Sequence, residues 1–226
     1  MSRNQLNLMR RLITLICLVF SGQIFALAAI EEWRTSNGMK VLFVAAPELP
    51  MVDFRMVFHA GSSRDGERLG LSLMTSALIA DGTEKLTADE VAQGFESLGA
   101  EFYSSADRDS AVVGLRSLTD AKLLKPSIAL TQQLLSAPAF PQSGFARVRQ
   151  QTLVAIQAKQ QSPAAIAGIE LMSALYPDHP YGLPKEGTEE TLMALSPVEL
   201  KNFYHRYYVA KNGVLAIVGN LTSQEG

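Results

Sequence analysis

The 226 residues are 47% hydrophobic and 19% charged, which is enough apolar material for one domain with a core of its own. Lys and Arg number 20 against 22 Asp and Glu, a formal net charge of −2, so no basic bias marks a nucleic-acid binder and none is expected as a partner. The nearest basic cluster, Arg147, Arg149 and Lys159, reads as the solvated face of one helix.

Arg3, Arg10 and Arg11 precede the apolar run Leu12–Phe20, and Ala26-Leu27-Ala28 closes it with small residues. A charged start, a short apolar run and an Ala-x-Ala end describe a secretory signal peptide over residues 1–28, with residues 29–226 as the exported domain. The alternative is an uncleaved anchor, but Gly22 and Gln23 interrupt a run already short of the roughly 20 residues a span needs. Cys17 is the one cysteine. It lies inside the apolar run, so the exported chain would have neither disulfides nor thiol chemistry. No stable membrane span is expected after cleavage.

Beyond the turn at Asn37-Gly38, Met39–Ala45 reads as a strand. Val52, Phe54, Met56 and Phe58 alternate with Asp53, Arg55, Val57 and His59 as a half-buried second strand, expected to pair with the first. Residues 60–66 form a loop into Gly70–Ala80, a short helix that is apolar almost all round and so expected inside the domain, stopped by Asp81-Gly82. Thr87 and Glu90 form a capping box for a helix to about Leu98, with Gly99 as its stop. Strands follow over 100–105 and 110–117. Thr119-Asp120 caps a helix to about Leu135 in which Pro126 predicts a kink or an adjusted start. A long helix spans about 143–158. Thr188 caps a short one, and Ser196-Pro197-Val198-Glu199 opens another to about Tyr208. Lys211-Asn212-Gly213 then leads into an apolar strand, Val214–Val218. The expected class is α+β, two layers, a sheet with helices packed on one face.

The frame Gly70-Leu71-Ser72 … Leu78 … Gly82-Thr83 resembles the active-site helix of the pitrilysin/insulinase family of zinc metallopeptidases. "NGMKVLFV", "HAGSSRDG" and the His179-Pro180-Tyr181-Gly182 loop are similar to the same family, and the likeness covers about Asn37 to Asn220. It implies one half of the LuxS/processing-peptidase type, a metallopeptidase-family domain whose second homologous domain is absent from this chain. In that family an inverted His-x-x-Glu-His motif binds zinc with its two histidines and activates water with its glutamate. The resemblance places those positions at Leu73, Ser76 and Ala77, and the third ligand, a glutamate, at Ala155.

None of the four side chains is a metal donor or a strong base, so no catalytic residue, metal ligand or cofactor is assigned. The resemblance therefore implies a non-catalytic subunit: a pseudo-peptidase paired with a zinc-bearing homologous peptidase, holding peptide substrates in a shared chamber, in the periplasm. Two alternatives stand beside it, a purely structural assembly subunit of an envelope complex and a peptidase with relocated chemistry. A transplanted zinc site using His59 with Asp65 or Asp81 is conceivable, but no pair among His59, His179 and His205 has local metal-site spacing. Phe203, Tyr204, Tyr207 and Tyr208 read as helix-to-sheet packing, and Ser72, Thr75 and Ser76 as groups bonded to nearby backbone.

Overall fold

Alternating large apolar side chains build the sheet, and their pleat decides which of its faces the helices cover. The computed structural model describes residues 29–224. The strands are β1 (Glu31–Arg34), β2 (Lys40–Ala45), β3 (Met51–Phe58), β4 (Glu101–Ala106), β5 (Ala111–Leu118) and β6 (Gly213–Gly219). They form one mixed sheet in the order β1-β2-β6-β3-β5-β4. The helices are α1 (Leu71–Ala77), α2 (Ala88–Ser97), α3 (Ala121–Ser136), α4 (Gln142–Gln160), α5 (Pro163–Leu175), α6 (Glu189–Ala194) and α7 (Pro197–Tyr207). The signal-peptide reading falls on residues 1–28, outside the described residues.

Val52, Phe54, Met56 and Phe58 lie on one face of β3, opposite Ser117, Leu115, Val113 and Ala111 of β5. The same face continues into Leu215 and Ile217 of β6, then Val41 and Phe43 of β2. The three apolar clusters among the described residues stand on it. Phe43, Met74, Leu78, Phe145 and Ile217 are each at most 1% exposed, and burying such a side chain contributes about 1.5–3 kcal/mol. The opposite face carries charge, as in the Arg116–Asp53 pair at 2.8 Å. One helix-bearing face and one open face make the α+β, two-layer arrangement that the alternation implied.

The expected pairing of the first two predicted strands does not occur. β6 is inserted between β2 and β3, parallel to the first and antiparallel to the second. Its run Val214–Val218 is the most continuously apolar strand, and such a strand belongs between neighbours rather than at an edge. The β2–β3 link passes over its end: Ala46 N donates to Gly219 O at 2.8 Å, and Asn220 N to Met51 O at 3.0 Å.

Two elements had no counterpart in the sequence reading. β1 is short and polar, and it exists through pairing with β2. Helix α5 is apolar without a stripe, so no period announces it, although Ser162-Pro163 supplies its N-cap and first residue. Helix α1 stops at Ala77, three residues before the expected Ala80, because the chain turns at Leu78 and reaches Gly82 with φ 115°. Both capping boxes form: Thr87 with Glu90, and Ser196 with Glu199. Pro126 does not adjust the start of α3, which begins at Ala121 with Asp120 as N-cap.

Candidate functional site

Helix α1 has Gly70 at its N-cap with φ 91°, a conformation glycine adopts at no steric cost. Glycine has no side chain to cap the free N–H groups, and Asp65 supplies the missing acceptor. Its Oδ2 accepts from Gly70 N at 3.0 Å and its Oδ1 from Ser72 N at 2.9 Å. Burial raises the Asp65 carboxyl to about 7, against the pull of the hydrogen bonds from Ser72, Gly70 and Leu71. The loop carrying Asp65 is tied to the β4–β5 hairpin, where Ser62 N donates to Asp107 O at 2.9 Å and Ser63 N to Arg108 O at 2.8 Å. The same hairpin holds the His-Pro-Tyr-Gly loop: Lys185 pairs with Asp107 at 2.9 Å, Arg108 donates to Leu183 O at 3.3 Å, and the Tyr181 hydroxyl donates to Asp109.

The four positions singled out by the resemblance lie on two helices that pack together. Leu73, Ser76 and Ala77 are on α1; Ala155 is on α4, whose Thr152 hydroxyl lies 4.0 Å from the Met74 sulfur of α1. Ala77 and Ala155 are exposed, Leu73 is half-buried, and Ser76 is buried. Zinc does not fit this set, since Leu and Ala carry no donor atom and the Ser76 hydroxyl faces inward. Among the described residues no three His, Cys, Asp or Glu side chains gather as a metal-binding group.

The transplanted site does not assemble either. Asp81 is engaged by Arg147, whose Nη2 donates to both its oxygens at 2.6 and 2.9 Å, and Asp65 is committed to the start of α1. Arg147 thus stands on an exposed helix face, as expected, but grips the chain where it leaves α1 and the following turn. His179 Nδ1 accepts from Tyr181 N at 3.2 Å within its own loop.

Inside α1 the polar strip splits. Thr75 Oγ1 donates to Leu71 O at 2.7 Å, the expected backbone bond. Ser72 and Ser76 depart from it, because their hydroxyls are turned toward other groups rather than toward the helix backbone. Ser72 faces Asp65 and Ser76 faces the Tyr208 hydroxyl, yet neither serine Oγ nor Tyr208 Oη reaches hydrogen-bond geometry. Burial pushes the Tyr208 phenol well above its usual range, with Ser76 opposing. Tyr208 stacks on Tyr204 at 4.7 Å and lies 5.1 Å from Phe58, so the aromatic cluster does pack helix against sheet.

Strand β4 completes the surroundings. Ser104 Oγ donates to Ser76 O at 2.7 Å, tying α1 to the edge strand of the sheet. Sequence reasoning assigned Ser104 and Tyr208 no part in this arrangement. Both contacts join residues far apart in the chain, and no local pattern announces them. Asp65 had a usable signal, an acid shortly before a glycine-started helix.

The family described as "Insulinase (Peptidase family M16)" matches residues 40–189. A protein of Rickettsia bellii named "Uncharacterized zinc protease" is 24% identical over 85% of this chain and 46% of its own length. One of Helicobacter pylori named "Non-peptidase homolog YmxG" is 25% identical over 93% of this chain and 48% of its own. The crystal structure of a "peptidase M16 inactive domain" from Pseudomonas fluorescens superposes with a TM-score of 0.86 at 38% identity, over 87% of this chain and 48% of that one. The periplasmic protease PqqL of Escherichia coli shares the fold, with a TM-score of 0.77 at 20% identity over 88% of this chain and 23% of its own. The chain spans about half the length of these two curated relatives. With a matching fold, the helix frame at Gly70–Thr83 and a family match over residues 40–189, this chain belongs to the insulinase family, peptidase family M16.

Proposed function

We propose that this chain is a non-catalytic unit of an M16-type assembly, which pairs with a zinc-bearing homologue and helps hold peptides for degradation or processing in the periplasm. The observation that carries the proposal is the set Leu73, Ser76, Ala77 and Ala155: a family fold in which the four positions that the resemblance assigns to zinc and base hold no zinc donor and no base. Relatives named as a non-peptidase homologue and an inactive domain support the reading. The pattern of residues 1–28 and the periplasmic PqqL neighbour support the location. Among the described residues no helix is long and apolar enough to cross a membrane.

Two surfaces support pairing and peptide holding. Strand β4 is a sheet edge beside α1, and an edge presents unpaired backbone groups to which an extended peptide can add as a further strand. Helix α5 buries none of its side chains, with Leu171 at 57% and Leu175 at 60% exposure and Glu170 as its one charged residue. An apolar helix of this kind calls for a covering partner.

The test is affinity capture of the tagged protein from periplasmic extract, with mass spectrometry of what co-purifies. Elemental analysis and a peptidase assay on the isolated chain accompany it. The proposal expects a co-purifying M16 protein with an intact His-x-x-Glu-His motif, less than about 0.1 zinc per isolated chain, and cleavage by the complex alone. Chelator-sensitive cleavage by the isolated chain would overturn it. Capture of an envelope complex devoid of any peptidase would move the chain to a structural role.

A further inference from the structure

Beside the start of α1 the surface dips into a cavity of about 260 Å³, bounded by the Ser62–Arg64 turn, α1 and α7. Its apolar floor is Leu71 and Phe203, 8% and 4% exposed, with the half-buried Tyr207 beside them. Three guanidinium groups stand around that floor: Arg64 at the end of the turn, Arg68 on the segment into α1, and Arg206 on α7. Glu199, Asn202 and Arg206 follow one another at i, i+3 and i+7, so a single face of α7 presents them to the cavity.

The negative groups of this site are already engaged. Asp65 directs its two oxygens at Gly70 N and Ser72 N. Glu199 gives Oε2 to the Ser196 capping box and lies with Oε1 3.2 Å from Arg68 Nε. The side chains of Arg64, Asn202 and Arg206, by contrast, have no hydrogen-bond or ion-pair partner among the described residues. Arg206 rests only over the Tyr207 ring, 5.3 Å from its centroid. Elsewhere in the domain Arg116, Arg147, Lys159 and Lys185 each hold a carboxylate. Here three cations face two committed carboxylates, and the positive excess surrounds a hollow.

The chemistry of these groups selects the ligand. A guanidinium fork receives a carboxylate through two parallel N–H···O bonds, and an Asn amide can donate a further N–H to the same group. The apolar floor suits the methylene stem that carries such a carboxylate. A hollow of about 260 Å³ is below the roughly 300–1,000 Å³ of sites that enclose a drug-sized molecule, so it takes one residue of a peptide rather than a nucleotide. No basic stripe continues from it along the surface as a phosphate backbone would need.

We infer that this cavity is a binding site for a peptide carboxylate, held by Arg64, Asn202 and Arg206 over Leu71 and Phe203. The site does not depend on a zinc-bearing partner, and its failure would leave the missing donors at positions 73, 76, 77 and 155 as they are. The test is isothermal titration calorimetry at low ionic strength on the protein produced from its own gene in full reading frame. The probes are the peptide Ala-Gly-Glu-Leu-Glu-Gly-Ala blocked at both ends, its glutamine counterpart with a free C-terminus, that counterpart blocked at both ends, and inorganic phosphate. At least one carboxylate-bearing peptide should bind with a Kd below about 1 mM. Binding of the first marks a side-chain carboxylate, and binding of the second a chain terminus.

The double variant Arg64→Gln, Arg206→Gln should weaken that binding about tenfold or more, and Asn202→Ala, which leaves the charge unchanged, about threefold. Lys122→Gln with Lys125→Gln on α3 removes the same charge at a distance and should change it by less than about twofold. Both arginines are exposed, so the melting temperature of their double variant should stay within about 2 °C of the parent. Equal binding of the fully blocked glutamine peptide, tighter binding of phosphate, or no binding of either carboxylate peptide would overturn the inference. So would equal weakening by the lysine pair, or an Asn202→Ala variant that binds as the parent does.

Discussion

Rebuilding the family residues tests the pseudo-peptidase reading most directly. The perturbation is Leu73→His, Ser76→Glu, Ala77→His and Ala155→Glu together. Positions 77 and 155 are exposed and 73 is half-buried, so three of the four new side chains can reach solvent. Position 76 is different: Ser76 is 1% exposed, and the Tyr208 hydroxyl is the polar group its side chain faces. A carboxylate there loses its hydration and gains at most one donor, at a cost of about 3 kcal/mol. For a chain of this size that is a fall in melting temperature of about 6–12 °C without zinc. Zinc at about 100 times its Kd restores about 2.7 kcal/mol, and so most of the loss. The triple variant that keeps Ser76 should bind zinc with a far smaller penalty in the apo form. Scanning fluorimetry with and without zinc, isothermal titration calorimetry and a quenched-peptide assay read these outcomes. Turnover should stay near background, because partners that orient the imidazoles matter about 10–100-fold and a chain without the zinc residues has no reason to keep them. A fourfold variant as stable as the parent without zinc would refute the burial argument. Robust cleavage by it would refute the pseudo-peptidase reading in favour of a recently silenced protease.

Three further expectations concern processing, titration and packing. N-terminal sequencing of the native protein should begin at Ala29, because Ala26-Leu27-Ala28 meets the small-residue rule; a retained Met1 would contradict it. Asp65 titrates at about 7 in the fold against 3.8 for the ordinary carboxyl, so between those values the folded chain holds a proton that the unfolded chain has lost. Its contribution to stability is therefore full below about pH 4, declines as pH rises toward 7, and is lost above it; Asp65→Asn should flatten urea-midpoint curves across that window. Gly144→Ala would set a Cβ 1.8 Å from Asp81 Oδ2 and push that carboxylate off Arg147. A pair with a half-exposed Arg147 contributes about 0–1 kcal/mol, and Ala in a helix gains about as much over Gly. The melting temperature should therefore move by less than about 4 °C, and a larger fall would refute that the Asp81 side chain yields.

Local chemistry made much of this protein legible in its sequence. The Thr87 and Ser196 capping boxes, the alternation on β3 and the frame from Gly70 to Thr83 each rest on residues a few positions apart, where side chain and backbone meet directly. These were enough for the helices they open, the buried face of β3 and the family. Tertiary structure decided whatever joins distant residues. The insertion of β6 between β2 and β3 depends on which strand gains most from burial between neighbours, a comparison no single segment contains. Helix α5 has apolar residues on every side, so its sequence has no period to read, and its conformation shows only in the folded chain. The surroundings of Ser76 follow the same rule. That residue is a serine in any reading, but its position against Tyr208 and under Ser104 arises because α1, α7 and β4 converge there, 132 and 28 positions away along the chain. The amino-acid types at 73, 76, 77 and 155 already state which donors are missing; only packing α1 against α4 brings those positions into one neighbourhood, because that contact is made by side chains such as Met74 and Thr152 that no local pattern pairs.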